Sequence, residues 1–259
     1  MITLTSAELN ALIASFIFPL ARVLALLAAA PPFNNAALPM RIRIILGLAI
    51  TIAIAPGIDH PPEIEPASGA GLLIMAEQML IGYATGFSMR IVFSAIDLAG
   101  SVFSYQMGLG FATNYDPMST SQTLVVSEIL SFLSLLVFLS IDGHLMEIST
   151  LTQSFRALPI GILPGSASWS NLANAVVIVF STGLLLALPI VVTLLITNTA
   201  LGILGRVSPQ LNLIVIGFPI TITLGFAALY VSLPYLMQPL LHLFEVGLNG
   251  MLGYFVLRQ

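Results

Sequence analysis

Residues 172–199 read LANAVVIVFSTGLLLALPIVVTLLITNT, twenty-eight positions without a charged side chain. About 20 mostly apolar residues suffice for a helix to cross a bilayer. Six further runs have the same character: Leu9–Ala30, Ile42–Ile58, Gly71–Ile96, Thr123–Ile141, Leu211–Pro234 and Leu236–Leu257, the last either spanning or amphipathic. All are apolar nearly all round, as lipid-buried helices are, so periodicity assigns them no inner face. Of the 259 residues, 58% are apolar and only 7% charged, where a soluble domain carries about 25% charge. Seven basic and eleven acidic side chains cannot coat a soluble fold of this size. This excludes an ordinary soluble enzyme and also a disordered chain, which needs high charge and low hydrophobicity. The sequence predicts an all-α integral membrane protein.

Pro19, Pro189, Pro219, Pro234 and Pro239 fall within or at the ends of the runs. Proline removes an amide donor and kinks a helix, and in lipid the freed carbonyl must be satisfied by protein or water. Kinked and broken helices packed against other protein are therefore expected. Gly82 and Gly86 form a G-x-x-x-G step, which flattens one helix face for close packing. The first run carries Arg22 and is preceded by Glu8, the wrong flanks for a signal peptide. The segment 142–171 reads as a loop, partly amphipathic, with Leu145, Ile148, Leu151 and Phe155 on one helical face.

All seven basic residues are scattered arginines, with no basic stripe for nucleic acid. The excess of positive charge marks the cytoplasmic side, and one topology places Arg41, Arg43, Arg206 and Arg258 there, with the acidic segment 59–65 opposite. Arg156 is the exception. Glu77, Arg90, Asp97 and Glu128 lie inside or at the ends of apolar runs. Charges at membrane depth are functional candidates. They fit either an ion relay in a secondary transporter or buried pairing inside a protein assembly, and their sparse placement favours the second.

Gln106–Gln122 interrupts the apolar sequence with Gly108, Gly110, a polar Ser-Thr-Ser-Gln stretch and the turn signal Asp116-Pro117. Irregular backbone at membrane depth must be buried in protein or line an aqueous path. Two structures fit: a re-entrant plug, or a loop at the membrane surface. His60, His144 and His242 have no metal-ligand spacing, there is no cysteine, and no phosphate loop or nucleophile elbow occurs. No catalytic residue, metal or cofactor is expected.

Several stretches in a fixed order carry a resemblance. They are Ala30-Pro31-Pro32-Phe33 with Leu38-Pro39 and Arg41; Glu77-Gln78-x-Leu80-Ile81-Gly82-x-x-x-Gly86-Phe87; Asp97-Leu98-Ala99-Gly100; and Gln106-Met107-Gly108-Leu109 leading to Tyr115-Asp116-Pro117. Gly143-His144, Ser154-Phe155, Leu158-Pro159 and Leu188-Pro189 follow. Gly205-Arg206-Val207-Ser208-Pro209-Gln210-Leu211-Asn212 and Gly217-Phe218-Pro219 complete the series. In this order and at this length the chain resembles the FliR family, the flagellar biosynthetic protein R of the type III export gate.

The resemblance implies a non-enzymatic pore subunit for secretion of unfolded flagellar proteins. It covers residues 1–259 as one FliR-like domain, with a FliP-like portion over about 1–200 and a FliQ-like helical hairpin over about 201–259. It implies a hetero-oligomer with FliP-like and FliQ-like subunits and an FlhB-like subunit, in the bacterial inner membrane within the flagellar basal body. By resemblance, Gln106, Met107, Gly108, Gly110, Phe111, Tyr115, Asp116 and Pro117 belong to the pore plug. Glu77, Arg90, Asp97, Glu128 and Arg206 are expected to face protein inside the assembly. The corresponding subunit of a virulence injectisome is the sister alternative.

Overall fold

The computed structural model describes residues 6–35, 38–58, 64–110, 124–210 and 212–255. The described residues form helices and turns, with no strand. In chain order the helices are α1 (Ser6–Ala29), α2 (Met40–Ile54), α3 (Gly69–Gln106) and α4 (Val125–Ser140). Then come α5 (Gly143–Ala157), α6 (Ser166–Ala175), α7 (Val177–Val207) and α8 (Leu213–Gly253). A short 3-10 turn over Ala55–Gly57 closes α2. Among the described residues, five helical stretches are long and apolar enough to cross a membrane: Glu8–Ala29, Met40–Gly57, Gly69–Gln106, Ser166–Val207 and Val215–Gly253.

Two expectations need correction. The two runs expected over 211–234 and 236–257 meet in one helix, α8 (Leu213–Gly253), with Pro219, Pro234 and Pro239 inside it. Each proline costs one amide donor, and the backbone on either side stays helical. The segment 142–171 holds two helices, α5 and α6. The face of α5 that is buried carries Glu147, Leu151, Ser154 and Phe155. Leu145 is exposed. Asp142, at φ 57°, breaks the chain ahead of α5.

The chain divides into two compact units. Unit 1 comprises residues 1–91, 141–176 and 244–259; unit 2 comprises 92–140 and 177–243. In unit 1, α1 and α3 meet at the G-x-x-x-G step. A β-carbon on Gly82 would overlap the Arg22 carbonyl oxygen, and one on Gly86 would sit 2.8 Å from the Leu26 carbonyl oxygen. Ala14, Phe18 and Ile74 build a core patch with Ile17, Ile64, Met75 and Ile160 around it. Trp169 of α6 packs edge-on against Phe255, centroids 5.8 Å apart.

In unit 2, the end of α3 packs with α4, α7 and α8. Phe93 and Phe138 meet edge to face at 5.7 Å. Gly183 of α7 admits the Ala95 carbonyl, 2.8 Å from where its β-carbon would be. Helices α7 and α8 follow one another in the chain, and a β-carbon on Gly217 of α8 would lie 3.7 Å from Leu201 Cδ1 of α7. Pro209 follows the end of α7, Arg206 lies in its last turn where the helix dipole favours a cation, and Asn212 starts α8. The Asn212 side-chain oxygen accepts from the Val215 amide at 3.4 Å, a side-chain cap. The described residues of the Gly205–Asn212 motif thus span the end of α7 and the residue that caps α8.

Gly82→Val is expected to cost about 1–3 kcal/mol by overpacking the α1–α3 crossing. The check is the melting temperature of the detergent-extracted protein, with Gly57→Val, at an open site, as the control that leaves it unchanged.

Candidate functional site

Interior charge in unit 1 comes from residues other than those singled out by their place in the apolar runs. Arg22 of α1 is fully buried. Its Nε donates to Gln78 Oε1 of α3 at 2.8 Å. One terminal nitrogen donates to the Ser154 carbonyl at 3.0 Å and the Ser154 hydroxyl at 3.2 Å, and the other to the Leu158 carbonyl at 2.9 Å. The guanidinium carbon stands 4.2 Å from the centre of the Phe155 ring, a cation–π contact. One side chain therefore ties α1 to α3 and caps the C-terminal end of α5, where the dipole is negative and the Ser154 carbonyl also accepts from the Leu158 amide.

Glu147 lies two turns earlier on the same helix and is also fully buried. Neither of its carboxyl oxygens has a hydrogen-bond partner among the described residues. Gln78 Nε2, Glu77 Oε2 and His144 Nδ1 are buried and unpartnered in the same sense. Arg22 was visible as the charge inside the first run. Glu147 left no such signal, although Leu151 and Phe155 of the apolar pattern share its buried face.

The charges named from sequence sit mostly outside. Within the chain Arg90, Asp97, Glu128 and Arg206 are exposed, and Glu77 is half-buried. Asp97 is engaged with α4: its carboxylate accepts from the Ser131 hydroxyl, and its carbonyl accepts from the Ser127 hydroxyl at 3.0 Å. Ser127 can approach because a β-carbon on Gly100 would lie only 2.5 Å from the Ser127 Cα. Among the described residues, no group of three His, Cys, Asp or Glu side chains could hold a metal.

Gln106, Met107, Gly108 and Gly110 are described; Phe111, Tyr115, Asp116 and Pro117 lie outside the described residues. The described part is a helix cap. The Gly108 amide donates to the Tyr105 carbonyl at 3.0 Å and the Leu109 amide to the Ser104 carbonyl at 3.0 Å. Gly108 itself has φ 80°. This is a Schellman closure, in which glycine takes the left-handed position without steric cost. Gly110 abuts the Tyr105 ring, whose Cδ1 is 2.6 Å from where a β-carbon would be.

The outer faces of α7 and α8 are strongly apolar. Val177, Phe180, Leu185, Leu195 and Ile196 on α7, and Tyr230 and Tyr235 on α8, are exposed. Only 28% of the Ser166–Val207 apolar window is buried, against 67% for Gly69–Gln106. In water such surface would be untenable; it belongs against lipid or other protein.

A family profile described as bacterial export proteins, family 1, matches residues 13–246. The chain belongs to this family. It is 43% identical to the flagellar biosynthetic protein FliR of Pectobacterium carotovorum subsp. carotovorum, covering 95% of this chain and 94% of that one. It is 40% identical to FliR of Escherichia coli strain K12, covering 96% and 95%. It is 34% identical to FliR of Buchnera aphidicola subsp. Acyrthosiphon pisum, over 92% of each. Membership makes the chain a membrane-embedded component of the flagellar export apparatus.

Arg22→Ala removes the guanidinium donors from Gln78 Oε1, the Ser154 hydroxyl and the Leu158 carbonyl, and one of two donors from the Ser154 carbonyl, and is expected to destabilise the extracted protein by about 3 kcal/mol or more. Arg22→Lys keeps the charge but not the fork, and should fall between Ala and wild type. Glu147→Met removes orphaned polar atoms and should be neutral or stabilising. Denaturant titration of the three variants is the check. Equal stability of Arg22→Ala and wild type would contradict the clamp.

Proposed function

We propose that this chain is a non-enzymatic subunit that forms and closes the pore of the flagellar protein export gate, in the bacterial inner membrane within the basal body. The match to the family over residues 13–246 carries the proposal. FliP-like, FliQ-like and FlhB-like subunits are its proposed neighbours, and unfolded flagellar proteins its transient cargo. The exposed apolar faces of α7 and α8 support this, since packing against neighbouring helices would remove them from solvent. On the same reading the exposed Arg90, Asp97, Glu128 and Arg206 meet partners in the assembly.

The division into a FliP-like portion over about 1–200 and a FliQ-like hairpin over about 201–259 belongs to the proposal as well. The second of these ranges holds the last turns of α7 and the whole of α8.

Residues 106–122 are the proposed plug. Its described start supports this role: a glycine cap ends α3 abruptly at Gly108, and Gly110 leaves room for the Tyr105 ring. Cargo lacks structure to be recognised, so a removable seal suits it better than a selective site.

Co-expression with FliP-like and FliQ-like partners, gentle extraction and mass measurement test the assembly. A discrete particle of defined composition is expected; a single chain that ignores those partners would refute it. Gly110→Val is expected to push Tyr105 aside and leave assembled cells leaking potassium, whereas a tight membrane with normal secretion would refute the plug.

A further inference from the structure

Among the described residues of unit 1, Glu147 is the one carboxyl group that is fully buried. Neither of its oxygens has a hydrogen-bond partner there. An ionised carboxylate removed from water needs a cation or several donors, because no solvent is left to hold its charge. The buried cation of the unit is Arg22, and each of its three side-chain nitrogens already donates, to Gln78, Ser154 and Leu158. Those acceptors belong to α3 and to the far end of α5. Ser154 is seven residues from Glu147, roughly 10 Å along the helix axis.

The other titratable and charged groups of unit 1 do not supply the missing partner. On α5 itself His144 stands one turn before Glu147, half-buried, its Nδ1 unpartnered among the described residues. On α3 Glu77 is half-buried with Oε2 unpartnered in the same sense, and its charge repels a second carboxylate. On α2, which meets α1 where Gly47 faces Leu24, Arg43 is half-buried and its Nε reaches no acceptor. Every other charged group described in unit 1 is exposed. Helix α5 lies outside the five stretches long and apolar enough to cross a membrane. Burial pushes the Glu147 carboxyl from its ordinary 4.5 up to about 8.

We propose that Glu147 is a proton-binding site built into the packing of α5. The folded unit holds the carboxyl as the neutral acid. When α5 leaves α1 and α3 the group meets water, and its proton passes to the solvent. Closure of α5 under the Arg22 clamp is thereby coupled to uptake of one proton. The site is carried by the packing within unit 1 and stands apart from the pore function put forward above.

Between pH 4.5 and about 8 the folded chain holds one proton more than the unfolded chain, so stability falls as pH rises across that window. The stabilisation is complete below pH 4.5 and has gone above about 8.

The test uses the full chain extracted in detergent. Denaturant unfolding of wild type, Glu147→Gln and His144→Gln is followed across that window. Glutamine keeps the shape and cannot ionise. The folding constant of wild type relative to Glu147→Gln is expected to fall about tenfold per pH unit, the effect of one proton, and titrations elsewhere cancel in the ratio. His144→Gln is expected to keep the fall. A ratio that stays constant with pH overturns the proposal. So does a pH dependence that disappears in His144→Gln but persists in Glu147→Gln.

Infrared spectroscopy of wild type gives a second readout that packing alone does not move. The carbonyl band of a protonated carboxylic acid is expected at about pH 6, where exposed carboxyls are ionised, and should fade as pH rises through the upper end of the window. Its loss in Glu147→Gln, or in Glu147→Met should the glutamine variant fail to fold, assigns the band to this residue. Wild type without such a band, or a band unchanged in the variant, overturns the site.

Discussion

A guanidinium in an apolar interior is tolerable only when its donors are met, and unit 1 is arranged around meeting those of Arg22. The acceptors come from Gln78 on α3 and from the C-terminal end of α5, residues 56 and 132–136 positions away in sequence. Apolar helices glide past one another with little preference for register, because one methyl contact is much like the next. A charged fork with fixed acceptors removes that freedom. The glycine step at Gly82 and Gly86 does the complementary task, bringing α1 near enough to α3 for Arg22 to reach Gln78.

The same principle explains what the chain leaves outside. Polar groups used for registration are drawn in, at Arg22, Gln78 and Ser154, while the flanks of α7 and α8 remain apolar and uncovered. A solitary membrane protein would show lipid the same kind of face. What separates an assembly subunit is the presence of charged side chains on the outside of apolar helices, as at Arg90 and Glu128, where lipid offers nothing to pair with. On the proposed function, neighbouring subunits cover them.

Much of the architecture was legible because it rests on one-dimensional signals. Uncharged runs of sufficient length gave the helices, and the Gly205–Asn212 motif carried part of the resemblance to the family. The union of the last two runs into α8 was not legible: a proline at 234 signals a kink or a stop equally well, and only packing decides. The buried face of α5 was legible at Leu151 and Phe155 but not at its start, where Leu145 is exposed and Glu147 is buried, the reverse of what hydrophobicity dictates. Nor could position within an apolar run separate Arg22 from Arg90. Helices apolar all round hold no information about which side meets protein.

The central claim is that α7 and α8 present their apolar flanks to other protein subunits. It is tested most directly by placing a photo-crosslinking side chain singly at Phe180, Leu195, Tyr230 and Tyr235 in cells that build flagella. Discrete adducts with export proteins, seen as fixed mass increments, are the predicted result. Adducts with lipid alone at all four positions would contradict the account.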